Sequence, residues 1–240
     1  MPRAAVAVSL ALGLCAAGAS AGAPDTGAAC ASTLAGRVAV PPSTTQLITV
    51  VVRASRSTHG VAQRWQRVTG ACWKRLATPS WAWVGERGVS AHKREGDRTT
   101  PAGVFPFERT MYGLAPNPGV RYRYHRIVCG DWWVEDPRSP WYNRFRHVPC
   151  GTPPPFRVTS EDMSRSPTAY RHLAVIAYNT APVVRGRGSG IFLHASTGRP
   201  TLGCVSLPLA RLVETLRWLR PRASPRIAIA TQAQLTRPAA

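Results

Sequence analysis

His194 and Cys204 are the residues of this 240-residue chain whose types and spacing could do covalent chemistry, in the segment His194-Ala-Ser-Thr-Gly-Arg-Pro-Thr-Leu-Gly-Cys204. A cysteine nucleophile needs a base to make thiolate, hydrogen-bond donors for a developing oxyanion, and room for an acyl group. His194 supplies the base if the strand that carries it and the loop that carries Cys204 converge. Gly198, Pro200 and Gly203 suit a tight return of the chain between them. Gly203 also lets a substrate approach the backbone, with the Cys204 amide as oxyanion donor. Ser196 and Thr197 in the return, and Tyr178 and Asn179 at the end of the preceding strand, are candidate pocket residues. A histidine packed beside a small apolar cysteine would look the same in isolation, so elements and compartment have to separate chemistry from packing.

The compartment follows from the first 23 residues. A basic start at Arg3, an apolar run over 4–14 and small residues through Ala17-Gly18-Ala19-Ser20-Ala21 predict a secretory signal peptide. The run is too short for a permanent membrane helix, and no later stretch approaches the roughly 20 apolar residues such a helix needs. The expected mature protein is exported, with no transmembrane segment. Cys15 leaves with the signal peptide, and the bulky Leu14 before it argues against a lipoprotein signal. Cys30, Cys72, Cys129, Cys150 and Cys204 remain, an odd number in an oxidising compartment. Cys129 and Cys150 bracket a loop that begins Asp131-Trp132-Trp133-Val134-Glu135-Asp136, which a disulfide would restrain. Cys30 and Cys72 pair by elimination, although spacing alone does not fix connectivity, and Cys204 is the thiol left free.

Around these residues the pattern is mainly β. The β-branched run 46–52 and the alternating run 61–68 predict strands, as do 72–76, 81–84, 103–107, 172–179, 190–194 and 226–230. Pro, Gly and Ser punctuation at intervals of about ten residues favours a meander or barrel-like sheet over alternating β-α units. One helix is expected over 208–219, with Leu209, Leu212, Val213, Leu216 and Leu219 on one face and Pro221 ending it. Residues 137–155 are expected to form an irregular, disulfide-tied loop.

The composition excludes several other chemistries. Lys and Arg total 31 against 11 Asp and Glu, a net charge of +20, but the arginines are scattered and only Lys74 and Lys93 are lysines. Such a surface suits anionic wall polymers better than nucleic acid, which binds to clustered stripes of charge. His125 and Cys129 have no second pair at ligand spacing, so no metal is expected. Glu135 and Asp136 are adjacent on an extended segment and point apart, unlike the paired carboxylates of a glycosidase.

The segments Ser189-Gly-Ile-Phe-Leu-His194, Gly203-Cys204-Val-Ser-Leu-Pro208 and Lys93-Arg-Glu-Gly-Asp97-Arg-Thr-Thr100-Pro101-Ala-Gly103-Val-Phe105 together resemble the YkuD family of bacterial L,D-transpeptidases. The resemblance covers nearly all of the mature chain. It implies a YkuD-like β-sandwich or barrel-like catalytic domain, no cofactor, and an acyl-enzyme mechanism on peptidoglycan stem peptides. Cys204 would attack the amide between an L- and a D-centre, release D-alanine and pass the acyl group to an amine, with His194 as base and acid. A backbone carbonyl, at Ala195 or Ser196, would orient the histidine. The family's Ser/Thr-His-Gly-Cys is here Thr201-Leu202-Gly203-Cys204, and the arginine usual two residues after the cysteine is Ser206. Arg199 is the expected replacement as anchor for a substrate carboxylate. Hydrolysis by the same thiol, or a silent wall-binding protein, are the competing functions. The expected organisation is a signal peptide over 1–23, an N-terminal segment over 24–40, the catalytic domain over 41–232 and a disordered tail over 233–240.

Overall fold

The computed structural model describes residues 1–2, 33–70, 72–157 and 160–236. Residues 3–23 of the expected signal peptide, with Cys15, and also Cys30 lie outside the described residues. The strands in chain order are β1 (Gln46–Val52), β2 (His59–Arg67), β3 (Trp73–Trp83), β4 (Val89–Ser90), β5 (Thr100–Pro101), β6 (Gly103–Gly113) and β7 (Arg123–Arg126). There follow β8 (Asp131–Val134), β9 (Arg144–His147), β10 (Glu161–Asp162), β11 (Leu173–Ile176), β12 (Phe192–Ala195), β13 (Val205–Leu207) and β14 (Arg226–Thr231). The helices are α1 (Leu209–Trp218) and α2 (Gln232–Thr236).

Strand β1 shows why a continuous apolar run is needed here. It pairs antiparallel with β2 and parallel with β14, and both of its faces are covered. Ile48, Val50 and Val52 enter the main core, while Leu47 packs with Trp65, Trp73 and Ala228 on the other side. A strand buried on both faces has no polar face to alternate with.

The large sheet runs in the order β11-β12-β13-β3-β2-β1-β14-β6-β7. It closes because β6 is long: Gly103, Val104, Phe105 and Pro106 pair with β14, and Phe107, Met111 and Tyr112 pair with β11. The mainly β, barrel-like class expected from the sequence is therefore the observed one. Helix α1 packs against β12 and β13, burying Leu212, Thr215 and Leu216. Its inward stripe differs from the expected one, since Leu209 is exposed and Thr215 faces in. The buried Thr215 hydroxyl is satisfied by donating to Arg211 O at 2.7 Å.

Three other expectations change. The runs 72–76 and 81–84 are one strand, β3, carried through Ala77 at φ 58° with a register shift opposite 62–64. Residues 137–155 are not wholly irregular: β9 lies within them and pairs with β8, which pairs with β10 in a three-stranded sheet. Its Arg-Phe-Arg-His sequence is exposed or half-buried throughout, so no apolar face marked it as a strand. Residues 233–236, expected in a disordered tail, belong to α2, and Leu235 packs with Ala35, Val38 and Trp73. Residues 237–240 lie outside the described residues.

The Cys129–Cys150 disulfide is formed, with Cα atoms 5.4 Å apart, and ties the base of the small sheet. Cys72 is also disulfide-bonded; its expected partner, Cys30, is not among the described residues. Between the small sheet and the outer face of β11 and β12 lies a second core of Tyr112, Ile127, Trp133, Met163, Tyr170, Leu173, Val175 and Phe192. The Trp133 and Phe192 rings meet edge to face at 5.2 Å. Cys204 packs at the rim of this second core.

Candidate active site

Strands β12 and β13 are parallel, with Leu193 opposite Val205 and His194 opposite Ser206. The chain leaves β12 at Ala195 and residues 196–204 carry it back to the start of the same strand pair. Cys204 therefore sits beside Phe192 at the head of β13, not beside the strand end that follows His194. Side chains alternate along a strand. Leu193, Ala195, Val205 and Leu207 enter the barrel core, which leaves Phe192, His194, Cys204 and Ser206 on the opposite face. The histidine and the cysteine thus share one face of neighbouring strands, on a diagonal.

The return is pinned to the end of β3, where Thr201 N donates to Val84 O at 2.9 Å and Glu86 N to Thr201 O at 2.8 Å. Two hydroxyls then hold the cysteine's own carbonyl: Thr201 Oγ1 donates to Cys204 O at 2.7 Å and Thr100 Oγ1 at 3.1 Å. Thr201 Oγ1 also accepts from Gly203 N at 3.1 Å, and Thr100 Oγ1 from Gly85 N at 2.8 Å. The Thr-Pro segment seen in the sequence is thus a clamp on the peptide plane that carries the thiol. Gly203 has φ 147°, and a Cβ there would lie 3.1 Å from Thr99 O. A side chain at this position would be strained by backbone and neighbour alike.

Cys204 is a free thiol. Its Sγ donates to Gly190 O at 3.2 Å and accepts from Phe192 N at 3.3 Å. His194 is buried, and its Nδ1 is 2.8 Å from Ala195 O. A carbonyl only accepts, so Nδ1 carries the proton and Nε2 is left with a free lone pair. The Tyr170 ring stands edge-on to the imidazole, 5.8 Å between centroids.

Gly190 is held in turn by Asn143, a buried residue at φ 57°. Asn143 Oδ1 accepts from Gly190 N at 3.0 Å and Trp133 Nε1 at 2.9 Å, while Nδ2 donates to Tyr178 O at 3.1 Å and Asn179 O at 2.8 Å. All four amide valences are used, so one side chain ties the small sheet, the strand before the site and the loop after β11 together. Next to Gly190 stands Glu135: a Cβ on Gly190 would lie 2.0 Å from Glu135 Oε1. Glu95 accepts hydrogen bonds from the Tyr142 hydroxyl and, at 2.7 Å, from the Ser189 hydroxyl.

Burial sets the resting charges. It pushes the Cys204 thiol up to about 12, with the Phe192 amide and Lys93 pulling down and the Glu135 and Glu161 carboxyls pushing further up. Burial lowers His194 to about 4 against the opposing pull of the Ala195 carbonyl. Glu135 rises to about 8, first through burial and then through Glu161 and Glu95, with Lys93 opposing. Tyr170 is raised well above the usual phenol range by burial, Glu161 and Cys204. At rest the cysteine is a neutral thiol and the histidine a neutral imidazole.

Of the pocket residues expected from sequence, Arg199 and Thr197 are exposed in the return, and Ser196 Oγ accepts from Gly198 N at 3.0 Å within the turn. The Tyr178 hydroxyl donates to Arg187 O at 2.6 Å, and Asn179 Nδ2 donates to Val184 O and Gly188 O, both within the loop 179–188. Cys129 is in its disulfide, while His125 Nε2 and His147 Nδ1 donate to Asp131 at 2.7 and 2.8 Å. Among the described residues no three His, Cys, Asp or Glu side chains are grouped to hold a metal ion. Lys93, Glu135, Glu161 and Tyr170 stand near the thiol and, with Asn143 behind Gly190 and Thr201 on the Cys204 carbonyl, were not expected as site residues. Lys93 and Thr201 carried a local signal, each lying in a motif segment.

Over residues 44–228 the chain matches the YkuD family model, described as an L,D-transpeptidase catalytic domain. Comparison with curated proteins gives no match. Among the described residues no helix is long and apolar enough to cross a membrane.

Proposed function

The chain belongs to the YkuD family of L,D-transpeptidase catalytic domains, and from that premise we propose that it is an exported enzyme that acts on peptidoglycan stem peptides through Cys204. The observation that carries this reading is the free thiol held between Gly190 O and Phe192 N, on the same sheet face as a histidine whose Nε2 is unprotonated.

His194 Nε2 takes the proton from Sγ as the sulfur attacks the carbonyl carbon of the amide between the L- and D-centres. The negative charge passes to the carbonyl oxygen, for which the Cys204 amide is the donor. The C–N bond then breaks, the imidazolium returns its proton to the departing D-alanine nitrogen, and a thioester remains. An acceptor amine attacks the thioester, His194 takes its proton, and a new amide forms as the thiol is restored. Arg199, Ser196 and Thr197 line the donor side, with Arg199 engaging a substrate carboxylate; full donor affinity in Arg199→Ala removes that part. Tyr178 and Asn179 frame the pocket through the loop 179–188. Residues 1–23 act as the signal peptide, and the Cys129–Cys150 disulfide fits an oxidising compartment. The net charge of +20 favours retention on anionic wall polymers.

Incubation with a carbapenem followed by intact mass measurement tests the proposal. One covalent adduct is expected, absent in Cys204→Ala; no adduct would favour a silent wall-binding protein. Muropeptide analysis with tetrapeptide donors then gives cross-linked products, whereas trimmed tripeptides alone would mean that water is the acceptor.

A further inference from the structure

The chain has two lysines, and one of them, Lys93, is buried with its side chain only 4% exposed. Its aliphatic stem and head group run beneath two glycines. A Cβ added at Gly188 would meet Lys93 Cε at 2.9 Å, and one at Gly203 would lie 3.4 Å from Nζ. The ammonium therefore ends against the residue that precedes the nucleophile. It is held there by Asp97 Oδ1 at 2.8 Å and Arg94 O at 3.3 Å. Asp97 is itself fixed by the amides of Arg94 at 2.7 Å and Thr99 at 2.9 Å, so the cation is preorganised.

Burying an ammonium is costly unless pairing repays it, and a hydrophobic residue of similar volume is often as stable. A single carboxylate partner on the same turn does not account for the choice of lysine here. The other groups around the thiol do. Glu135 and Glu161 disfavour a negative sulfur, and His194 is neutral at rest. Ser206, two positions after the cysteine on the same strand face, is uncharged and 1% exposed.

We propose that Lys93 is the positioning charge of the active centre, its ammonium beneath Gly203 stabilising the Cys204 thiolate as the proton moves to His194. The proposal rests on Cys204 being the nucleophile. Lys93 faces Asp97 from its own turn, Glu135 from the end of β8, and Cys204 from the head of β13. A unit charge at an effective dielectric of about 20 is worth about one pH unit at roughly 12 Å and more when closer, so the loss is at least about tenfold in thiolate at fixed pH.

The test is alkylation of Cys204 by iodoacetamide between pH 6 and 10, followed by mass measurement on the peptide that carries it. Lys93→Met should slow alkylation at least about tenfold at every pH in this range, and Lys93→Arg should restore most of the rate. Lys93→Met combined with Asp97→Asn, which leaves no orphaned carboxylate, should show the same loss if the single variant folds poorly. Wild-type rates in Lys93→Met or in the double variant would overturn the proposal, as would an arginine variant as slow as the methionine one. Alkylation needs a thiol and no acyl donor. A missing carbapenem adduct with lysine-dependent alkylation would therefore sink the transpeptidase reading alone, and the reverse pattern would sink this inference alone.

Discussion

Replacing Glu135 by Gln should change the thiol only where the carboxyl is ionised. Burial holds that carboxyl at about 8 in the fold, so at pH 6.5 it is almost wholly protonated and already resembles the amide. At pH 9.5 it is almost wholly ionised and repels a thiolate, an effect worth at least about one pH unit for a charge within roughly 12 Å at an effective dielectric of about 20. Alkylation of Cys204 in Glu135→Gln should therefore match wild type near pH 6.5 and exceed it at least about tenfold near pH 9.5. The same residue makes a stability prediction with a definite sign. A carboxyl raised from 4.5 to about 8 binds its proton more tightly when folded. Its contribution is complete below about pH 4.5 and is lost as pH rises through 8. The shift corresponds to a ceiling of about 5 kcal/mol, and urea melts of the two proteins should converge at pH 5 and separate in favour of the variant by pH 8.5. An alkylation ratio that is the same at both ends of the pH range would mean that the carboxyl does not ionise between them, and its placement near 8 would be wrong.

Two further outcomes follow from the same site. Thr100→Val removes a donor to Cys204 O and strands the buried Gly85 amide, which should cost about 1–3 kcal/mol; urea melts and acylation kinetics should show lower stability together with slower acylation. His194, lowered from 6.5 to about 4 by burial, stays neutral in the fold over a range where the unfolded chain is protonated. Its contribution is whole above about pH 6.5 and is lost as pH falls towards 4, by up to about 3 kcal/mol; His194→Gln should flatten that acid limb of the urea midpoint.

What the sequence could show depended on whether a signal was local. Strand β1 matches its expected bounds of 46–52 because burial on both faces leaves a continuous apolar run. His194 and Cys204 were visible for a similar reason, as a strand, a glycine-rich return and an unpaired thiol lie within a few residues. The closure of the barrel through β6 and β11 left no comparable trace, since pairing of distant strands has no period of its own. The same holds for the site's charges. Lys93, Glu135 and Glu161 come from three separate segments, and the rule that adjacent carboxylates point apart correctly separated Glu135 from Asp136 without saying what Glu135 faces. The Thr100-Pro101 segment was legible as a motif, but its work, holding the carbonyl of a residue 104 positions away, needed the fold.

The central claim is that Cys204 carries an acyl group taken from a stem peptide. Rapid-quench mass spectrometry of the protein with a disaccharide-tetrapeptide donor and no acceptor tests it most directly. The account predicts a transient adduct on Cys204 equal to the donor minus its terminal D-alanine, matched by free D-alanine and absent in Cys204→Ala. Release of D-alanine with no adduct at Cys204, or release that survives Cys204→Ala, would contradict it.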